Sequence, residues 1–148
     1  MGPVVIGCDI GGVVRDLVAE EAIRDSIETL DGLDKLNFKI LFISQCNESY
    51  KSFCQRWLEA HGLNRYECFY CAHFSDKNEI ALQNNVAVMI DDHMGVLDSL
   101  DEGIFKIWFC DDSKRIGDVK QCQPRDFASV HLARDWKQVD ELIRKRFC

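Results

Sequence analysis

Apolar residues in this chain gather into short runs, two of them broken by a single lysine, Lys39 or Lys106, and most runs stop at a polar residue or an acidic pair. Val4-Val5-Ile6-Gly7-Cys8 leads into Asp9, Phe38 to Ile43 into Ser44, Val86 to Ile90 into Asp91-Asp92, and Ile104 to Phe109 into Cys110-Asp111. A continuous rather than alternating apolar pattern is what a strand covered on both faces requires. Cys68 to Cys71 reads as a shorter strand of the same kind, and Phe127 to Leu132 as one more after a loop from Asp111 to Arg125.

Between the runs the apolar spacing becomes helical. Ile23, Ile27 and Leu30 predict a helix from Asp16 to Leu30, with Asp16 as its N-cap and Gly32 closing it. Tyr50, Phe53, Trp57 and Ala60 predict a helix over about 48–60 with an aromatic, core-facing side. Ser75 to Glu79 opens a third helix, where Asp76 and Glu79 fit a capping box. Val96, Leu97 and Leu100 make a short one ending near Gly103. A last helix starts at Asp135 and presents Trp136, Val139, Ile143 and Phe147. Strands and helices alternating in this way predict an α/β fold, a doubly wound parallel sheet with helices on both faces. No repeat, low-complexity tract or linker divides the chain, so residues 1–148 are expected to form one domain.

Composition narrows the partners. At 148 residues, 47% hydrophobic and 29% charged, the chain has the make-up of an ordinary globular protein. A net charge of −7 argues against general affinity for nucleic acid or anionic membranes. The Arg144-Lys145-Arg146 cluster reads as a solvated helix end. No apolar run approaches the roughly 18 residues needed to span a bilayer. With no signal peptide evident, the eight cysteines read as free thiols of a reducing compartment, so a cytoplasmic location is expected and a nuclear one stays open. Cys68-x-x-Cys71 and His73 supply three potential metal ligands and no second cysteine pair, and they too read as packing residues.

In a parallel sheet the residues just beyond successive strands meet at one edge. That edge should collect Asp9, Ser44, Asp91 and Asp92, with Lys77 arriving from a helix start. Three carboxylates at close quarters repel one another unless a cation neutralises them, and an all-oxygen set suits Mg²⁺. With the metal in place, Asp9 would stay anionic and nucleophilic toward phosphorus. Ser44 and the amides of Ile10, Gly11 and Gly12 would hold phosphoryl oxygens, and Lys77 would offset developing charge. Taken singly, Ser44 reads as a cap, Lys77 as a helix-surface residue and Asp91-Asp92 as a helix start. Their joint order is what points to chemistry.

That order resembles the haloacid dehalogenase-like hydrolase superfamily. Val5 to Val13 is similar to its first motif, Ile43-Ser44 to its second, Lys77 to its third and Val88-Met89-Ile90-Asp91-Asp92 to its fourth, over residues 4–110. The Ile-Asp-Asp ending also resembles the soluble deoxyribonucleotidase branch. The resemblance implies a Rossmann-like core, Asp9 as phosphoryl-accepting nucleophile, and a Mg²⁺ ion held by Asp9, the Gly11 carbonyl, Asp91 and Asp92. Family phosphatases usually carry a second aspartate two residues after the nucleophile, which protonates the leaving group; here that residue is Gly11. General acid–base help is worth on the order of 10² to 10⁴ in rate, so three outcomes stay open. Asp16 or His93 stands in, the substrate has a good leaving group, or the domain is catalytically weak and binds a phosphorylated partner without turning it over. The gaps from Asp9 to Ser44 and from Ser44 to Lys77 are too short for an inserted cap domain. The expected substrate is therefore a phosphorylated molecule, including macromolecular ones, and a small substrate would require loops or an oligomer to exclude water. A phosphorelay receiver domain is also doubly wound, but it expects its acidic pair after the first strand, whereas this chain has it late.

Overall fold

The computed structural model describes residues 2–148. Six strands form one all-parallel sheet: β1 (Val5–Cys8), β2 (Lys39–Gln45), β3 (Glu67–Cys71), β4 (Val86–Asp91), β5 (Phe105–Phe109) and β6 (His131–Ala133). Their order across the sheet is β3-β2-β1-β4-β5-β6. The chain moves outward from β1 in one direction, then returns beside β1 at β4 and moves out in the other. The reversal lies between β1 and β4, and the crevice beyond their carboxyl ends is where such sheets bind ligands.

Seven α-helices connect the strands: α1 (Ser26–Lys35), α2 (Glu48–Ala60), α3 (Lys77–Gln83), α4 (Met94–Ser99), α5 (Ser113–Cys122), α6 (Pro124–Ser129) and α7 (Trp136–Phe147). The sheet separates two cores. On one face Ile6, Cys8, Phe42, Val88, Ile90 and Ile107 meet Leu30 and Leu33 of α1, Trp57 of α2, and Trp136, Val139 and Ile143 of α7. On the other, Leu41, Ile43, Met89 and Trp108 meet Ala81 of α3 and Leu97 of α4. All four residues of β1 are buried, as its unbroken apolar pattern requires. Gly7 is needed inside that strand, because a Cβ there would sit 2.9 Å from the Met89 sulfur and 3.1 Å from a Val86 methyl.

The strands lie where the apolar runs place them, while several connections differ. The helix expected from Asp16 begins only at Ser26 and runs through Gly32, which is internal to it. Residues 9–25 instead fold into turns. Three amides, from Val13 to Arg15, converge on the Ile10 carbonyl, and isolated bridges join Arg15 to Gly11 and to Ala22. Asp16 caps a turn, its Oδ1 accepting from the amides of Val18 and Ala19 at 2.8 Å each, and Glu20 and Asp25 take positive φ, which breaks any helix there. The capping box lies three residues earlier than Asp76/Glu79. His73 and Asp76 form it around a single 3₁₀ turn, Phe74–Asp76, and Lys77 opens α3 directly after. On α2 the buried residues are Cys54, Trp57 and Leu58, whereas Tyr50 and Ala60 are exposed.

The expected loop from Asp111 to Arg125 contains α5 and the start of α6, and the predicted strand at 127–132 shortens to β6 at His131–Ala133. Asp112 caps α5 through bonds from the amides of Lys114 and Arg115. Neither α5 nor α6 has a fully buried residue, so neither writes an apolar stripe into the sequence. Cys68 is half-buried and Cys71 buried on β3, and neither belongs to a metal-ligating cluster among the described residues. No helix among the described residues is long and apolar enough to cross a membrane.

Trp136 joins the end of the chain to the turn that follows β1. It is fully buried, and its indole N–H donates to the Val13 carbonyl at 2.8 Å. Replacing it with Phe is expected to lose about 1–2 kcal/mol by stranding that carbonyl. Replacing it with Ala is expected to lose about 3–5 kcal/mol. Urea unfolding followed by circular dichroism measures both, and a Phe variant as unstable as the Ala variant would show that the hydrogen bond, not packing, dominates.

Candidate active site

Three strand ends and one helix start bring the polar residues together. Asp9 follows β1, and its amide donates to the Ile90 carbonyl of β4 at 2.9 Å, which ties the two central strands at their carboxyl edge. Ser44 is next to last in β2, Asp91 is the last residue of β4, and Asp92 follows it. Lys77, the first residue of α3, lies wholly inside the protein at 0% exposure. Its Nζ donates to Asp9 Oδ1 at 3.1 Å and to Asp91 Oδ2 at 3.0 Å. Asp91 Oδ1 also accepts from the His93 amide at 2.9 Å.

Asp9, Asp91 and Asp92 each offer a carboxylate oxygen within 4.8 Å of the others. Three carboxylates against the single ammonium of Lys77 leave two negative charges, the charge of one divalent cation. The imbalance shows in the acidities. Burial, and then the negative charge of Asp91, push Asp9 well above the usual carboxylate range and raise Asp92 as well. Burial disfavours the Lys77 cation, but Asp9 and Asp91 outweigh it and hold the ammonium above its ordinary value. An all-oxygen donor set that lacks a counter-charge fits a hard divalent ion. Gly12, at φ 81°, completes the cradle, because a Cβ there would collide with the Asp92 carboxylate.

A cavity of about 270 Å³ opens over this cluster, with Asp9, Gly11, Ser44, Asp92, His93 and Arg15 in its walls. A larger one, about 620 Å³, lies on the other side of Gly12 and Asp92 and is lined by Asp16, Arg115 and Arg134 among others, without Asp9 or Ser44. The smaller cavity is the one that Asp9 and Ser44 line. Of the amides expected to hold an anion, Gly12 already donates to the Arg15 carbonyl at 2.9 Å, while those of Ile10 and Gly11 make no backbone bond among the described residues. The two stand-ins for a proton donor at Gly11 part company here. Asp16 lines the larger cavity and caps its turn, whereas His93 lines the smaller one, with its ring 4.5 Å from that of Phe74 and its Nδ1 accepting from the Val96 amide.

Arg15 had no signal in the sequence, standing between an apolar run and a supposed helix cap. Its placement depends on the turn that brings it back beside Gly11, and Tyr50 and Phe53, expected as core, flank its guanidinium at 5.9 and 5.5 Å. Cys8 is buried under the site, and Cys46 lies with its sulfur 3.7 Å from that of Cys54.

Lys77→Met is expected to cost about 3–5 kcal/mol in the metal-free protein, because it strands two buried carboxylates. The acidities also set a pH dependence. Asp9 and Asp92 hold protons more tightly folded than unfolded, so the metal-free protein should lose stability as pH rises from about 4 through their raised values. The Lys77 contribution runs in another window, being complete below the ordinary lysine value of about 10.4 and fading only above it. A divalent cation replaces the protons, so the rise in melting temperature produced by Mg²⁺ should grow between pH 4 and 8. A Mg²⁺ increment that is flat over that range would contradict this charge balance.

No family model matches the chain, and no curated protein does. Solved structures do. The chain is similar to D,D-heptose 1,7-bisphosphate phosphatase from B. bronchiseptica, solved with magnesium and phosphate, at 13% identity over 97% of this chain and 99% of that one, with a TM-score of 0.69. The Burkholderia thailandensis heptose bisphosphate phosphatase aligns at 11% identity, over 95% and 98% of the two chains, with a TM-score of 0.63. The cobalt-bound deoxy-D-mannose-octulosonate 8-phosphate phosphatase from Haemophilus influenzae aligns at 13% identity, over 97% and 88%, with a TM-score of 0.58. At such identities the likeness concerns the path of the chain, and by that path this protein shares the fold of these three phosphatases.

Proposed function

We propose that the chain is a Mg²⁺-dependent phosphohydrolase or phosphoryl-transfer enzyme in which Asp9 attacks phosphorus and carries the phosphoryl group as an aspartyl phosphate. The observation that carries this reading is the Lys77 ammonium shared between Asp9 and Asp91, with Asp92 in ligand range, at the point where the strand order reverses. Nucleophile, cation and acidic cluster stand together, as in-line displacement at phosphorus requires.

The residues that would hold the metal are Asp9, the Gly11 carbonyl, Asp91 and Asp92. Bound there, Mg²⁺ would neutralise the carboxylates and polarise a phosphoryl oxygen. Lys77 orients the Asp9 carboxylate through its 3.1 Å contact and offsets the charge that grows on the transferring group. The Ser44 hydroxyl and the amides of Ile10 and Gly11 supply the remaining donors for phosphoryl oxygens. Leu17, Tyr50 and Phe74 stand exposed around the cavity, and no inserted domain covers it among the described residues. That setting suits a phosphate group displayed on a larger molecule, and a reducing, cytoplasmic compartment suits the free thiols.

Gly11 supports a second reading, a domain that binds a phosphorylated partner with little turnover, since a glycine has no proton to give. An activated aryl phosphate separates the two, because its leaving group departs without protonation. Wild-type protein with Mg²⁺ is expected to release nitrophenolate from p-nitrophenyl phosphate, and EDTA is expected to stop it. Asp9→Asn should lower the rate on the order of 10³-fold or more with an unchanged circular dichroism spectrum. Equal rates for wild type and Asp9→Asn would exclude Asp9 as the nucleophile. Phosphate binding without turnover would favour the second reading.

A further inference from the structure

The cavity over Asp9 contains a cation that the scheme above does not use. Lys77 is enclosed and committed to two carboxylates, so the guanidinium of Arg15 is the permanent positive charge in the cavity wall. Arg15 is 6% exposed, an unusual degree of burial for an arginine. Its Nη1 donates to Glu20 Oε2 at 2.7 Å, and Glu20 is itself fixed by the Trp57 indole, which donates to the Glu20 carbonyl at 2.8 Å. The backbone of Arg15 is pinned at both ends, its amide to Ile10 and its carbonyl to Gly12.

The other edge of the guanidinium is free. Nε is buried without a partner, and Nη2 makes no hydrogen bond among the described residues. These two N–H groups form one side of the arginine fork, the side that matches two oxygens of a carboxylate or phosphate. Nη2 also marks a particular place, since a Cβ built on Gly11 would lie 3.5 Å from it. Leu17 lies closer still, its Cδ2 3.1 Å from that Cβ position, so the position of the missing side chain at residue 11 lies between the exposed Leu17 and a rigidly held cation in the wall shared with Asp9.

A guanidinium stabilises a departing oxygen as an anion but does not give up its proton in the range where proteins work. Such a wall suits a leaving group that is stable when it departs as an anion. It does not help an alkoxide. We propose that Arg15 forms the leaving-group subsite of this cavity, pairing its Nε–Nη2 edge with a carboxylate, and that the substrates are acyl phosphates. The proposal rests on Asp9 as nucleophile. In the step, an Asp9 carboxylate oxygen bonds to phosphorus and the bond from phosphorus to the acyl oxygen breaks. The bonding pair stays on that oxygen, the product is a carboxylate, and no proton is transferred. Aspartyl phosphate is itself an acyl phosphate, so the exchange conserves bond type; a water oxygen then bonds to phosphorus, the bond from phosphorus to the Asp9 oxygen breaks with its electron pair left on the carboxylate, and the water's protons go to the released phosphate and to solvent.

The test compares benzoyl phosphate, glycerol phosphate and an aryl phosphate series, each with Mg²⁺ and each corrected for spontaneous hydrolysis, in wild type, Arg15→Met, Arg15→Lys and Asp9→Asn. Wild type is expected to favour benzoyl over glycerol phosphate by on the order of 10² or more in kcat/KM, the low end of what a general acid supplies. Arg15→Met should lower benzoyl phosphate turnover about 10- to 100-fold and steepen the dependence of aryl phosphate rates on leaving-group pKa. Arg15→Lys, which keeps the charge and loses the fork, should fall between. Equal loss on all substrates in Arg15→Met, or comparable wild-type turnover of glycerol phosphate, would overturn the subsite. Undiminished benzoyl phosphate turnover in Asp9→Asn would overturn the nucleophile instead. Benzoate titration followed by the Arg15 Nε–H resonance then reads the subsite without catalysis. Perturbation of that resonance in wild type, with weakened benzoate binding to Arg15→Met, supports it, and no response in wild type overturns it.

Discussion

The site is organised by one buried ammonium. Lys77 stands at 0% exposure between Asp9 of one central strand and Asp91 of its neighbour, and the hydrophobic cores on both faces of the sheet hold those strands in register. A lysine taken out of water is costly unless it is paired and hydrogen-bonded. Here the cost is offset by two carboxylates that would themselves be strained without it. Asp92 exceeds what one ammonium can neutralise, and that excess negative charge is the physical basis for the divalent cation proposed above. The same crowding explains why residue 12 has no side chain, since the space a Cβ would need belongs to the Asp92 carboxylate.

Two cations thus divide the work around Asp9. Lys77 is internal, fixed and fully paired, a group that sets charge and geometry. Arg15 sits in the cavity wall with one edge tied to Glu20 and the other free. Gly11 removes a side chain that would otherwise press on Leu17 and lie beside the Arg15 guanidinium. The cavity consequently combines strong anion stabilisation with weak capacity for proton donation, and this pairing shapes which leaving groups it suits.

Much of this was legible in the sequence wherever burial writes a pattern. β1, β2, β4 and β5 are largely enclosed on both faces, so their residues are mostly apolar, and a polar residue at the carboxyl end of three of them is the one that reaches the site. Asp9, Ser44, Asp91 and Asp92 were readable for that reason, and Lys77 from its place at a helix start. Residues 9–25 were not, because their course depends on positive φ at Glu20 and Asp25 and on bridges from Arg15 to Gly11 and Ala22, none of which has a periodic signature. Helices α5 and α6 bury no residue fully and so looked like a loop. Tyr50 and Phe53 carried the spacing of a core-facing stripe, yet they flank a guanidinium whose position is set by that same irregular turn.

Everything proposed for this chain depends on Asp9 accepting a phosphoryl group, and a crystal soaked with Mg²⁺ and BeF₃⁻ observes that event directly. The account predicts a beryllium bonded to an Asp9 carboxylate oxygen, its fluorides contacting Ser44 and Lys77, and one Mg²⁺ among Asp9, Asp91 and Asp92. An Asp9 free of beryllium in a crystal whose carboxylates hold Mg²⁺, or an adduct on another residue, would contradict it.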